Sequence, residues 1–319
     1  AGLKWFQLEA NGISTNRSTA QVYRNGRHQI RATVTLRAVD NKGHVVLLGE
    51  DDIRKVELIN YNGSKLSSDL SRQDSWRGYD EQPSRMRTED TKTNPGNSTA
   101  QVWLSAGDNA RLTTHHIAAK ITLNGIDYYT NDSSVANKGG ATEAGNSDSS
   151  FNAQVISTYT LGASYFHAID ESRTQYYGFD NPAGAESRFL VRWRIEFRDG
   201  AYRIHGTDVE DKKPIPWFSQ YIRNGNDTDC CTWLLPFRKA DRNSKVYLGW
   251  NRSGSDYRDC WVKPYRNEHS VYVIIEHAKC FNIHSYNAWP ITITDNYGCT
   301  HKLVVRPNNN GSTVQIDDK

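Results

Sequence analysis

The chain has 319 residues, 37% of them hydrophobic, and its 39 Lys and Arg nearly balance 36 Asp and Glu for a net charge of +3. That length leaves room for two domains, and near-neutral charge without a dense basic run argues against nucleic acid as a partner. No apolar run approaches the roughly 20 residues of a membrane-spanning helix. A single Met, with 17 Tyr and 9 Trp among abundant Asn, Ser and Thr, points away from helices and toward a secreted or surface-displayed β-protein. The opening AGLKWFQLEANG lacks the apolar core of a signal peptide, so either a leader is removed ahead of Ala1 or export takes another route.

Taken in order, Lys4 to Glu9 reads as an entering strand. From Gln29 to Val39 the chain alternates, with Ile30, Ala32, Val34, Leu36 and Ala38 on one face and Arg31, Thr33, Thr35 and Arg37 on the other, which is the period of a half-buried strand. Asp40 to Gly43 is turn chemistry. His44 to Leu48 should return as a strand buried on both sides, and Ile53 to Ile59 as another, with Val56 and Leu58 in phase and Tyr61-Asn62-Gly63 ending it. Residues 64–97 are polar and irregular, too long for an ordinary connection, and read as either a functional loop or a disordered one. Strands resume at Ala100 to Ser105, His116 to Leu123 and Ile126 to Tyr129, the last two joined by an Asn124-Gly125 hairpin turn. Adjacent His115 and His116 point to opposite sides of their strand and cannot act together.

The stretch NGRHQIRATVTLRAVDNKGHVV, Asn25 to Val46, resembles the bacterial immunoglobulin-like repeats of invasin and intimin type. Those carry a polar, Gly-containing turn, a long alternating strand, an Asp-x-x-Gly turn and a buried strand. The resemblance implies an immunoglobulin-like sandwich for residues 1–130 and a role in adhesion or display, and it brings no catalytic residues. An internal echo also runs through the chain: Ser18-Thr19-Ala20-Gln21-Val22-Tyr23 recurs as Ser98-Thr99-Ala100-Gln101-Val102-Trp103 and more faintly as Asn152-Ala153-Gln154-Val155. Unequal spacing excludes a solenoid and suggests similar strands entering similar sheets.

Residues 131–150 are small and polar without periodicity, which reads as a flexible linker or exposed loop. A second β-sandwich, rich in aromatics and holding all five Cys, is expected over residues 151–319. Within it Val191, Trp193, Ile195 and Phe197 alternate with Arg192, Arg194, Glu196 and Arg198. Asp199-Gly200 then suggests a tight hairpin that sets Phe197 opposite Tyr202, Ile195 opposite Ile204 and Glu196 opposite Arg203. Two further hairpins are expected, Ile291 to Thr294 with Thr300 to Val305, and then Thr313 to Ile316. The five Cys fit either two disulfides with one thiol left over or five reduced side chains.

Exposed aromatic rings beside Asn, Asp and Arg suit sugars, because the ring stacks on C–H bonds while amides and carboxylates take the hydroxyls. The turn-rich segment from Trp250 to Trp261 carries that pattern, so Trp250, Asp256, Tyr257, Asp259 and Trp261 are the candidate ligand-binding residues, with Trp217 beside them. Glu276, His277, Cys280 and His284 do not match the paired spacing of a zinc site, and Asn226 to Asp229 lacks the pattern of a calcium loop, so no metal and no cofactor is expected. Asp208, Glu210 and Asp211 lie close together as a solvated loop would, and no nucleophile, phosphate-loop or zinc-protease motif occurs. The expectation is a non-enzymatic extracellular or cell-surface protein of bacterial style, an adhesin or toxin-targeting component that binds a cell-surface glycan or receptor protein. The rivals are a pore-forming or insecticidal-type β-toxin, with a membrane surface as partner, and a carbohydrate-active enzyme with an appended binding domain.

Overall fold

The computed structural model describes residues 2–11, 18–80, 96–131, 149–175, 189–209, 222–223, 229–235, 246–247, 259–260, 271–277, 289–307 and 313–319. The chain is all-β and divides into two compact units, Ala1–Thr158 and Tyr159–Lys319. Helix among the described residues is limited to one turn, Glu50–Ile53, and a three-residue 3-10 turn, Ala163–Tyr165.

In the first unit the strands are β1 (Gly2–Ala10), β2 (Ser18–Tyr23), β3 (Gln29–Val39), β4 (Val45–Val46), β5 (Glu57–Asn60), β6 (Leu70–Gln73), β7 (Ser98–Ala106), β8 (Thr114–Leu123), β9 (Ile126–Tyr129) and β10 (Phe151–Ile156). One sheet runs β1-β3-β7-β6 with β4 on the end of β3; the other runs β2-β10-β8-β5 with β9 on β8. In immunoglobulin lettering these are A-B-E-D and, with β2 added at the edge, G-F-C. Both sheets feed one core that includes Phe6, Ile30, Val34, Leu104, Ile117 and Phe151. The inward face of β3 is as the alternation predicts, with Ile30, Ala32, Val34 and Leu36 sealed from solvent, although Thr33 on the other face is buried too; each fully buried Val, Leu or Ile contributes roughly 1.5–3 kcal/mol. Asn124 and Gly125 hold φ of 52° and 77°, the two positive values that a tight β8–β9 turn requires, and Leu123 lies opposite Ile126.

Three expectations about this unit need correction or extension. The return strand after Gly43 is only two residues long and is not buried on both sides: Val45 is 51% and Leu47 68% exposed. It pairs with the last two residues of β3, beyond the reach of β7, so one of its edges meets no strand among the described residues. The stretch from Ile53 to Ile59 is not one strand; Ile53 closes the helical turn and β5 begins at Glu57. Phe151–Ile156, expected to open the second domain, belongs to the first unit, antiparallel to β8 and parallel to β2.

The second unit contains β11 (Phe166–Gln175), β12 (Phe189–Phe197), β13 (Ile204–Val209), β14 (Ile222–Arg223), β15 (Asp229–Leu235), β16 (Val246–Tyr247), β17 (Asp259–Cys260), β18 (Val271–His277), β19 (Trp289–Asp295), β20 (Thr300–Pro307) and β21 (Val314–Asp318). Its sheets run β11-β12-β18-β15-β14 and β13-β19-β20-β21, again the A-B-E-D and C-F-G order, around a core of Phe166, Ile195, Ile204, Ile293, Leu303 and Val305. Both terminal hairpins form as expected, β19 with β20 and β20 with β21.

The hairpin at Asp199-Gly200 does not form. Strand β12 has both edges taken, by β11 and β18, so β13 crosses to the other sheet and pairs with β19. The connection is a wider turn, closed by the Tyr202 amide on the Asp199 carbonyl at 3.0 Å and by the Ala201 amide on Asp199 Oδ1 at 2.9 Å. Phe197 and Tyr202 still meet, rings 5.6 Å apart, but with Tyr202 in the connecting turn rather than as a cross-strand pair. Glu196 faces His167, at 3.1 Å, and not Arg203.

Candidate recognition surface

Of the residues the sequence nominates, Trp217, Trp250, Asp256, Tyr257 and Trp261 lie outside the described residues. Asp259 is placed by its backbone alone, opposite Tyr247 in the short β16–β17 ribbon. Glu276 and His277 lie on β18 opposite Cys231 and Cys230, and Asp208 on β13 opposite Thr292, while Glu210, Asp211, Cys280 and His284 fall outside the description. Among the described residues no group of three His, Cys, Asp or Glu is placed to hold a metal ion. Cys299 is buried, 1% exposed.

The surface that the described residues do build lies at one end of the first unit, where the β2–β3 turn meets the segment after β6. Gln29 opens β3 and is 1% exposed. Its carboxamide acts as a substitute strand: Nε2 donates to the Ser75 carbonyl at 3.1 Å and Oε1 accepts the Arg77 amide at 2.7 Å. Both backbone groups flanking Trp76 are thereby tied to the sheet. The Arg77 guanidinium adds bonds to the Gly26 carbonyl and to Gln73 Oε1, the latter at 2.9 Å. Gly26 sits in a turn that is itself fixed, because Asn25 Oδ1 accepts the amides of Arg27 and His28, and buried His28 accepts the Tyr23 amide through Nδ1.

Between these anchors Trp76 stands 56% exposed, with its indole N–H donating to the Tyr79 carbonyl at 2.7 Å. The ring's only polar atom is satisfied internally, so what remains for a ligand is the flat apolar face. An exposed Trp on an untethered loop samples many rotamers; this one is tethered on both sides and at its own edge. Sequence reading marked residues 64–97 as a functional or disordered loop but did not single out Trp76. The signal available was a lone Trp among turn residues, Asp74-Ser75-Trp76-Arg77-Gly78. Trp103 occupies the next row of the same sheet, opposite Gln73 and Arg31, and its buried indole N–H has no acceptor among the described residues.

Two polar constellations resemble reactive centres and are better explained as fasteners. In the second unit buried Asp295 accepts Tyr159 Oη and His301 Nε2 on one oxygen, and the amides of Tyr297 and Cys299, each at 2.9 Å, on the other. His301 Nδ1 accepts the Leu161 amide at 2.9 Å, so every atom of the pair is spent on holding the β19–β20 turn, and both side chains are closed to solvent. In the first unit the Arg111 guanidinium holds the Asp69 carboxyl below its ordinary value, while burial pushes His115, 3.4 Å away, below its own. His116, on the opposite side of β8, stacks on Tyr61 at 3.9 Å, as the alternation requires. Glu9, on the outer face of β1, is pushed up by burial, and one of its oxygens has no partner among the described residues.

No family model matches the chain, and no curated protein is similar to it in sequence. Solved structures that align with it include the C-terminal domain of the Streptococcus agalactiae AgI/II polypeptide BspA (10% identity, 93% of this chain and 97% of that one, TM-score 0.24). Domains 5–6 of the S-layer protein SbsC align at 8% identity over 99% and 96% of the two chains, TM-score 0.21. The C-terminal domain of the Streptococcus pyogenes antigen I/II-family protein AspA aligns at 9% identity over 94% and 98%, TM-score 0.25. At TM-scores this low the backbones do not superpose as wholes, and neither fold nor role transfers from them.

Proposed function

We propose that the chain is a non-enzymatic extracellular or cell-surface recognition protein that binds a cell-surface glycan or receptor protein, as an adhesin does. The observation that carries this reading is Trp76, an exposed aromatic face on a loop that buried Gln29 fixes to the sheet. Rigid sandwiches that present aromatic side chains on tethered loops lower the ordering cost of binding. The strand order of the first unit supports kinship with bacterial immunoglobulin-like repeats, as do the turn, long strand and Asp40–Gly43 turn within Asn25 to Val46. The sequence from Trp250 to Trp261, with Asp256, Tyr257 and Asp259 between its two Trp, is a second candidate for the same role.

The test is an array of glycans and host-surface proteins probed with the whole chain and with Trp76→Ala, Trp250→Ala and Trp261→Ala. Binding that falls at least about tenfold in Trp76→Ala supports the reading, since aromatic stacking is worth on the order of 1 kcal/mol or more. Binding that survives all three substitutions removes both surfaces from consideration.

A further inference from the structure

Resting on that reading, we infer that the ligand of the Trp76 surface is an acidic glycan, one carrying carboxylate or sulfate groups. The charge around the ring is one-sided. The β2–β3 turn and the segment from Arg72 to Asp80 hold four arginines, Arg24, Arg27, Arg72 and Arg77, against two acids, Asp74 and Asp80. Arg72 bonds Asp74 at 3.3 Å while its other arm reaches the Val56 carbonyl, so the cations that count are Arg77 and Arg24.

Arg77, next in chain to Trp76, is held by two neutral oxygens, the Gly26 carbonyl and Gln73 Oε1, so its position is fixed while no carboxylate among the described residues cancels its charge. Arg24 is two residues from Gly26 and meets no carboxylate among the described residues. Its backbone is locked by a bridge to Ala106 and by its amide on the Ile156 carbonyl.

A flat ring with its N–H already spent binds C–H faces. A planar cation beside it, fixed and uncancelled, binds an anionic substituent in a directed, two-point fashion. A pyranose with a carboxylate or sulfate meets both demands at once. A neutral sugar leaves the cations unused, and an acidic peptide carries its charges and its C–H groups on separate flexible side chains, where a pyranose holds both on one rigid ring.

The experiment uses the whole chain on an array printed with carboxylated, sulfated and neutral oligosaccharides, followed by titration calorimetry on the best acidic oligosaccharide. Variants are Trp76→Ala, whose ring is exposed, and Arg24→Gln, whose side chain makes no hydrogen bond or ion pair among the described residues; circular dichroism confirms that both remain folded. Expected are acidic oligosaccharides above neutral ones, a loss of about tenfold or more in Trp76→Ala, and a loss of about three- to tenfold in Arg24→Gln. A similar weakening is expected between about 0.05 and 0.5 M salt. Neutral oligosaccharides bound best, with Trp76→Ala still lowering affinity, would overturn the acidic assignment and leave the recognition surface standing. Acidic binding indifferent to both substitutions moves the ligand elsewhere and sinks the surface itself. An array with no bound glycan of any class overturns the inference outright.

Discussion

Removing the Gln29 carboxamide tests the tether without touching any ligand. In Gln29→Ala the Ser75 carbonyl loses its donor and the Arg77 amide loses its acceptor. Each bond is worth a net of about 1 kcal/mol, so the loop's closed form loses about 2 kcal/mol, and its open population rises roughly thirtyfold. The Arg77 guanidinium bonds and the Trp76–Tyr79 bond persist, so the loop is loosened rather than melted. The assay is amide hydrogen exchange at Arg77, which loses its acceptor outright and should accelerate at least about thirtyfold while Ala32 and Val102, paired between β3 and β7, keep their rates. Trypsin should cut after Arg77 faster in proportion. Acceleration below about threefold would refute the tether, and equal acceleration at Ala32 and Val102 would mean the whole sheet had been weakened instead. Ligand affinity is the less sensitive readout, because it scales with the closed fraction alone. For a loop open about 1% of the time, a thirtyfold rise still leaves about three quarters closed.

Other expectations follow from the two fasteners, the turn chemistry and the buried acid. Asp295→Ala strands four donors around a sealed site, and at about 1–3 kcal/mol for each that cannot reach water, the second unit should lose about 4 kcal/mol or more in denaturant unfolding; a shift under about 1 kcal/mol would show that the turn stands without its carboxylate. Asp69 and His115 are both lowered, so the stability they confer is present above their unfolded values of about 3.9 and 6.5 and is lost as pH falls toward their folded values. Thermal midpoints should therefore drop between pH 7 and 5 in the parent protein and drop less in His115→Gln. Glu9 is raised and has the opposite sign, its cost appearing as pH rises through its folded value, so Glu9→Gln should raise the midpoint at pH 7 and leave it unchanged at pH 3. Gly125→Val forces a β-branched residue to φ near 77° and should cost about 1–3 kcal/mol in thermal unfolding, unless the β8–β9 turn rearranges.

Much of the fold was legible because alternation records which face is buried, and that face survives whatever the neighbours are. Strand β3 shows the rule at its strongest, and Ile195 and Phe197 in β12 obey it as well. Alternation does not record which strand occupies an edge. Asp199-Gly200 carried the right turn residues beside the right pattern, yet β11 and β18 had already taken both edges of β12, so β13 had to cross. The error at Val45 to Leu47 has a related source. An apolar run of Val and Leu reads as buried, but among the described residues β4 pairs only with the last residues of β3 and stays at the rim. The Trp76 surface was hidden for a further reason: its tether joins Gln29 to a segment 46 and 48 residues away, and nothing local at either end announces the other.

The internal echo shows how far a repeat in sequence can be explained by packing alone. Its first and third copies lie side by side in β2 and β10, parallel and in register, with Ala20 beside Ala153, Val22 beside Val155, and Gln21 donating to Gln154 at 2.9 Å. The second copy, in β7, belongs to the opposite sheet and pairs antiparallel with β3 and β6. All three nonetheless turn the same letters inward: Ala20 and Val22, Ala100 and Val102, Ala153 and Val155 are buried. A duplicated unit would place its copies in equivalent positions of two sheets. Here they sit in unlike positions and share only an inward small residue, an outward amide and an inward Val, which is what a strand facing a closely packed opposite layer requires. Replacing Ala153 by Val tests that account, since a methylene pair added between facing layers should cost about 1–3 kcal/mol in unfolding, and an unchanged stability would return the echo to ancestry.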